Sequence, residues 1–175
     1  MNCPNRLSIL RILCIPVLVV LMLLSPPWNN WGASAVFLFA SFTDFLDGYL
    51  ARKNHWITNF GKFIDPVADK LLVLSSFIML TDRGILPGWV VVLILVRELT
   101  IDGLRLIAMT KNQVIAAGKL GKLKTVSQML LIVLLLVTNV PAFSTWYGTI
   151  LTAWVAVITL WSGGEYLIRN RSVLQ

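Results

Sequence analysis

The sequence has few of the residues that build disulfide frameworks or zinc sites. It contains two cysteines and one histidine among 175 residues. Cys14 lies on the first predicted helix and Cys3 lies at its entry. The sequence therefore predicts neither a disulfide framework nor a thiolate ligand set. We interpret both as small apolar residues. His55 lies in a polar turn, and we interpret it as a solvated loop residue.

Charged residues are also scarce. Only 13% of the residues are charged, whereas 57% are hydrophobic. A soluble domain of this length has no interior large enough to hide so much apolar surface. Membrane-spanning helices of about 20 residues each would bury it in lipid. The sequence therefore predicts an all-α integral membrane protein.

Acidic residues are the scarcer of the two charge types. Eight Asp and Glu face 15 Lys and Arg, which gives a net charge of +7. This excess has two interpretations: loop charges that follow membrane topology, or additional contacts to anionic lipid and an anionic substrate. Because no soluble basic domain is visible, we predict no nucleic-acid partner.

The apolar runs predict six transmembrane helices within a single polytopic domain over residues 1–175. Their predicted bounds are about 7–25, 31–53, 61–80, 87–109, 122–140 and 143–168. Residues 1–35 are similar to a signal peptide, but the apolar run is long, and we interpret it as a retained helix. Pro66 is expected in the first turn of the third helix, where proline is tolerated.

Basic residues are distributed unevenly over the two predicted sides of the membrane. Twelve, among them Arg11, lie on one side, Arg83 alone lies on the other, and Lys70 and Arg97 fall within helices. Basic residues concentrate on the cytoplasmic side of membrane proteins. The sequence therefore predicts that the N and C termini are both cytoplasmic.

Four of the eight acids lie between residues 44 and 69. Asp44 and Asp47 are three residues apart, and Asp65 and Asp69 are four apart, so each pair shares one face of a helix. Gly61 is expected in the turn between the two helices. Two antiparallel helices would bring the pairs together, next to strongly apolar runs.

Four carboxylates near lipid need a source of positive charge. Each charge at mid-membrane costs roughly 2.5–3.5 kcal/mol even on a mild insertion scale, and mutual repulsion adds to that cost. A divalent cation removes both penalties. Oxygen ligands favour Mg2+ or Mn2+ over zinc. The sequence predicts a one- or two-metal site for a diphosphate substrate at the membrane edge.

Arg97 and Glu98 lie in the middle of an apolar run, which is too deep for an accidental charge. One interpretation is a basic pocket for a phosphate group, built from Arg97, Arg105, Lys119, Lys122 and Lys124. The alternative is a structural Arg97–Glu98 pair with solvated lysines. Adjacent helix positions do not face each other, which argues against that pair. An acid nearby, Asp102, is expected to weaken phosphate binding unless it pairs with Arg105.

The acidic stretch has the form D-x2-D-G-x2-A-R-x8-G-x3-D-x3-D. Its fixed positions are Asp44, Asp47, Gly48, Ala51, Arg52, Gly61, Asp65 and Asp69. This pattern resembles the signature of the CDP-alcohol phosphatidyltransferase family. Flanking residues resemble its bacterial glycerol-3-phosphate-using branch; among them are Pro4, Asn5, Arg6, Leu7, Arg11, Lys62, Pro66, Arg97, Glu98, Gly121, Lys122, Lys124 and Thr125.

The resemblance implies a reaction and a set of roles. A phosphatidyl group passes from CDP-diacylglycerol to glycerol 3-phosphate, and CMP leaves. Asp44, Asp47 and Asp65 would hold metal, and Asp69 would complete the metal site and act as general base. The basic pocket would hold the acceptor phosphate. The nucleotide-binding residues would be Asn5, Gly48, Ala51, Arg52 and Gly61. Two Mg2+ or Mn2+ ions, a homodimer and a bacterial inner (plasma) membrane with a cytoplasm-facing site are also implied.

Several alternatives remain open from the sequence. Gly48 and Ala51 are also typical of close helix packing, Arg52 of a topology anchor, and Asn5 of a helix cap. The acceptor alcohol could differ within the family. A divalent-cation transporter also places acids in the membrane, although the acids here cluster near one interface beside Arg52, which would repel a cation in transit.

Overall fold

A computed structural model of the chain describes residues 3–24, 28–53, 59–111 and 118–171. Within the helices, the side chains of residues 3–7, 28–29, 44–53, 59–63 and 65–66 lie outside this description. The described residues form six helices and no strand, which confirms the all-helical prediction. The helices are α1 (Cys3–Leu23), α2 (Trp28–Lys53), α3 (Asn59–Asp82), α4 (Gly88–Thr110), α5 (Lys119–Thr138) and α6 (Trp146–Arg169).

The observed helix ends differ from the predicted ones by a few residues. The largest difference is at α1, which begins at Cys3 rather than near residue 7. The expected place of Pro66 is wrong, because α3 already begins at Asn59 and Pro66 lies inside the helix. The first residue of α3, Asn59, is polar, so the apolar pattern placed the start of this helix too late.

Two helices of the described part of the chain, α5 and α6, are long and apolar enough to cross a membrane. A shorter apolar stretch in α1 covers Ser8–Leu23. The described α4 has suitable length but carries four charged residues, Arg97, Glu98, Asp102 and Arg105. Six membrane spans therefore stay a prediction.

The chain divides into two compact units. Unit one contains Met1–Arg83 and Ile132–Asn139, and unit two contains Gly84–Leu131 and Val140–Gln175. In unit one, α1 packs against α2 and α3, and these two also contact each other. In unit two, α4 packs against α6.

Each unit has its own buried apolar core. The core of unit one includes Leu18, Met22, Phe37, Leu72 and Phe77. The core of unit two includes Val90, Ile94, Ile101, Leu104 and Val155. Many other large apolar side chains are exposed, among them Leu23, Leu99, Trp146, Trp161 and Ile168. A surface of this kind fits an apolar solvent or a partner better than water.

The α6 N-terminus in unit two depends on the absence of a side chain at Gly148. Thr145 is the N-cap, and its Oγ1 accepts a hydrogen bond from the Gly148 amide at 3.3 Å. A Cβ atom at Gly148 would lie 2.8 Å from Thr145 Oγ1 and would overlap the carbonyl oxygen of Ala142. Ala142 is itself held by a 2.8 Å hydrogen bond from its amide to the Ile85 carbonyl. Only glycine therefore fits this close backbone approach.

Arg83 closes the end of α1 inside unit one. Its Nε donates to the carbonyl of Met22 at 2.7 Å, and its Nη2 donates to the carbonyl of Leu24 at 3.2 Å. Its Nη1 donates to Asn30 Oδ1 at 2.8 Å. The last carbonyls of a helix lack partners within the helix, and a guanidinium with five N–H groups can satisfy several of them. Burial lowers the pKa of Arg83, but an arginine remains charged at neutral pH.

We expect Arg83→Ala to destabilise the protein by about 2–4 kcal/mol, because three acceptors lose their donor. Arg83→Lys should have an intermediate effect, since an ammonium group cannot span all three acceptors. Thermal unfolding of the purified protein in detergent measures this. The control is Arg171→Ala, which removes an exposed arginine. Equal melting temperatures for Arg83→Ala and Arg171→Ala would contradict the proposed contact.

Candidate functional site

The acidic motif lies on two neighbouring helices of unit one. Asp44 and Asp47 are on α2, and Asp65 and Asp69 are on α3. Because both segments are helical, each pair keeps the spacing that places its members on one face. The expectation that Gly61 lies in the connecting turn is wrong, since α3 begins at Asn59. A glycine in a first turn has an amide that needs no partner within the helix.

Asp69 is the one motif acid whose side chain is described. It is half-buried, and its Oδ1 atom is shielded from solvent. The side chains of Asp44, Asp47 and Asp65 lie outside the described residues, so their predicted metal-binding role stays a prediction. The same holds for the predicted nucleotide-binding residues Asn5, Gly48, Ala51, Arg52 and Gly61.

The donor set of the motif suits a hard divalent cation. It offers four carboxylates, two on each of two helices that contact each other. Oxygen donors of this type fit Mg2+ or Mn2+. Asp65 and Asp69 lie about one turn apart, which is roughly 6 Å along the helix axis at the usual rise per residue. Residues Asp44, Asp47, Asp65 and Asp69 would therefore hold the cations.

Two of the five basic candidates, Arg97 and Lys124, meet at a carboxylate in unit two. Arg97 Nη1 lies 3.1 Å from Glu98 Oε1. Lys124, from α5, places its Nζ in direct contact with the same oxygen. The side chains of Arg97, Glu98 and Lys124 are 12%, 11% and 5% exposed. We call these residues the Glu98 cluster.

The Glu98 cluster carries one negative and two positive charges in a nearly buried site. A buried charge without a partner costs several kcal/mol, and an ion pair offsets part of that cost. Two cations share one carboxylate within the cluster. The net positive charge of these three residues favours an anionic ligand nearby.

The sequence argument against an Arg97–Glu98 pair is wrong, because the two side chains are paired. Adjacent residues diverge around a helix, but the long arginine side chain reaches back to the carboxylate. Lys124 shares that carboxylate from a different helix, 26 residues further along the chain. The alternative of solvated lysines is right for Lys119 and Lys122, which are exposed, and wrong for Lys124.

Arg105 lies eight residues after Arg97 on α4, which is about 12 Å along the helix axis. Its Nε donates to Tyr166 Oη at 3.1 Å. Its guanidinium carbon lies 5.5 Å from the centroid of the Tyr166 ring, within the range of a cation–π contact. Tyr166 packs in a small core with Ile101 and Leu104. The tyrosine on α6 thus orients Arg105.

Sequence reasoning missed the roles of three residues. Glu98 was considered only as a possible partner of Arg97, whereas it also binds Lys124. Tyr166 holds Arg105, and no local pattern indicates it. Arg11 was counted among the basic residues that set topology, but it is fully buried within unit one. An arginine inside the apolar part of α1 was the signal for that burial.

Comparisons with known proteins agree with the motif. The sequence profile described as CDP-alcohol phosphatidyltransferase matches residues 1–161. A Bacillus subtilis protein named CDP-diacylglycerol–glycerol-3-phosphate 3-phosphatidyltransferase is 38% identical, over 99% of this chain and 97% of its own length.

Two further relatives carry the same name. The Pseudomonas fluorescens protein is 40% identical over 95% of this chain and 89% of its own length. The Escherichia coli K12 protein is 36% identical over 99% of this chain and 97% of its own length. With the profile match, the acidic motif and this similarity along the whole sequence, the chain belongs to the CDP-alcohol phosphatidyltransferase family.

Proposed function

We propose that this chain transfers the phosphatidyl group of CDP-diacylglycerol to sn-glycerol 3-phosphate, which gives phosphatidylglycerophosphate and CMP. The observation that carries the proposal is the similarity, over nearly the whole chain, to relatives named for this reaction. The product would enter the synthesis of phosphatidylglycerol and cardiolipin. The chemistry of the described residues supports the choice of a phosphorylated acceptor.

The acidic motif would serve the diphosphate of the lipid substrate. Mg2+ or Mn2+ bound there, with two ions as the expected number, would neutralise the charge that develops on the diphosphate. The acceptor hydroxyl oxygen attacks the β-phosphorus, the bond from that phosphorus to the bridging oxygen breaks, and CMP leaves. Asp69 would take the hydroxyl proton, since an alcohol is a weak nucleophile at neutral pH.

The other motif residues would bind the nucleotide part of the substrate. Gly48 and Ala51 are three residues apart on α2, and neither has a bulky side chain, which would let a ligand approach the backbone. Arg52 carries a guanidinium that suits a phosphate. Asn5 on α1 and Gly61 on α3 complete the proposed set.

The Glu98 cluster would bind the phosphate of the acceptor. A phosphate group approaching Arg97 and Lys124 would meet two cations that share a single carboxylate. Arg105, oriented by Tyr166, supplies a further guanidinium two turns along α4. Lys119 and Lys122 are exposed on α5 and would attract the anion from solution. An acceptor without a phosphate group, such as serine, would make no use of this positive charge.

We also propose that the protein spans the bacterial plasma membrane with six helices, both termini in the cytoplasm, and acts as a homodimer. The apolar α5 and α6 and the exposed large apolar side chains support a lipid environment. The uneven distribution of basic residues supports the orientation.

The first test supplies different acceptors to the purified protein with CDP-diacylglycerol and Mg2+. We expect CMP release with glycerol 3-phosphate, and little release with serine, with inositol phosphate or without an acceptor. The positive charge at the Glu98 cluster is the reason for the preference over serine. The preference over inositol phosphate is expected from the name that the relatives carry. CMP release with serine but not with glycerol 3-phosphate would overturn the assigned acceptor. Magnesium transport without CMP release would favour the cation transporter.

A second test concerns the general base. Asp69→Asn should lower turnover by roughly 10²–10⁴-fold, because the acceptor proton loses its base. Binding of Mn2+, followed by calorimetry or electron paramagnetic resonance, should persist, since the other three motif carboxylates remain. The matched control is Asp82→Asn at the exposed end of the same helix. Normal turnover in Asp69→Asn would rule out this residue as the base.

A further inference from the structure

The Arg97 side chain passes close to two glycines of unit two. A Cβ atom built on Gly163 of α6 would lie 3.0 Å from Arg97 Cγ and 4.0 Å from its Nε. A Cβ atom on Gly121 of α5 would lie 3.8 Å from Arg97 Nη2. The stem of Arg97 therefore lies against bare backbone of α6, and the tip lies beside bare backbone of α5.

Arg97 Nε is enclosed by this arrangement. It is buried, and it has no hydrogen-bond partner in the described part of the chain. A buried donor without a partner costs about 1–3 kcal/mol. An unpartnered buried donor in a native structure needs an explanation. The explanation here is that the side chain is held at two points: its stem packs against Gly163, and its Nη1 lies 3.1 Å from Glu98 Oε1.

The contact is specific to one of two consecutive glycines. Nothing lies within 4 Å of a Cβ atom built on Gly164, whereas the position at Gly163 is tighter than ordinary van der Waals contact. The crowded atom is Cγ, near the base of the arginine side chain, so it cannot rotate away without moving the whole guanidinium. Added bulk at Gly163 must therefore displace the guanidinium.

We propose that Gly163 is a positioning residue, which sets the place of the Arg97 guanidinium for the acceptor phosphate. The inference rests on the proposed function, because it takes that phosphate as the ligand of Arg97. The absence of a side chain at Gly163 lets the arginine stem pack close to α6 while its Nη1 reaches Glu98. A methyl group there would move the guanidinium by a few tenths of an ångström and leave the acidic motif unchanged.

The test compares Gly163→Ala with Gly164→Ala in the full-length protein. Gly163→Ala should raise the KM for glycerol 3-phosphate by roughly tenfold, since small displacements of a binding group reduce productive binding strongly. The KM for CDP-diacylglycerol should stay within about twofold of the wild-type value, because the contacts that bind this substrate are not altered. Gly164→Ala adds the same methyl group to the same helix and should leave both constants unchanged.

A double-mutant cycle with Arg97→Ala separates positioning from helix packing. Alanine at position 97 has no Cγ, so Gly163→Ala should raise the KM for glycerol 3-phosphate no further in that background. If the double variant instead shows the product of the two single-variant increases in this KM, the proposal is overturned. If Gly163→Ala fails to fold, the double variant decides: folding with the constants of Arg97→Ala supports the contact, and failure to fold overturns it.

The wild-type measurement keeps this inference distinct from the proposed function. If the wild-type protein releases no CMP with glycerol 3-phosphate, the proposed function fails. If the wild-type protein is active and Gly163→Ala has an unchanged KM for glycerol 3-phosphate, only the role of Gly163 fails.

Discussion

A carboxylate placed between two cations is the interaction on which the described site depends. Glu98 contacts both Arg97 and Lys124, and all three side chains are nearly buried. Without the carboxylate, two like charges would face each other in an apolar setting, which costs several kcal/mol per ion. With it, the two cations share one counter-charge. The three residues together carry a net positive charge, which is why we propose the acceptor phosphate as their ligand.

A buried charge needs a partner, and this need also explains the positions of other charged residues in this apolar chain. Arg83 lies where the last carbonyls of α1 need donors, and it supplies them from one guanidinium. Arg105 rests on the hydroxyl and ring of Tyr166. The four acids on α2 and α3 meet the same demand if divalent cations bind there, which is what we propose. These charged residues are therefore each held by a partner or assigned a ligand.

Much of the fold could be predicted from the sequence, because the apolar runs and their polar interruptions define the helices. The contacts of the site could not be predicted in the same way. Lys124 joins Glu98 from another helix, and Tyr166 reaches Arg105 from a third. Local rules describe neighbours on one helix, whereas these partners are 26 and 61 residues apart. The acidic motif was visible because its members repeat at helical spacing.

The thermal stability of Glu98→Gln in detergent tests the central claim most directly. Removing the charge but keeping the shape should destabilise the protein by about 3–5 kcal/mol, because two buried cations lose their partner. The Glu98→Gln/Lys124→Met double variant should recover part of this loss, since one of the two cations is then absent. A melting temperature for Glu98→Gln equal to that of the wild type would contradict the account.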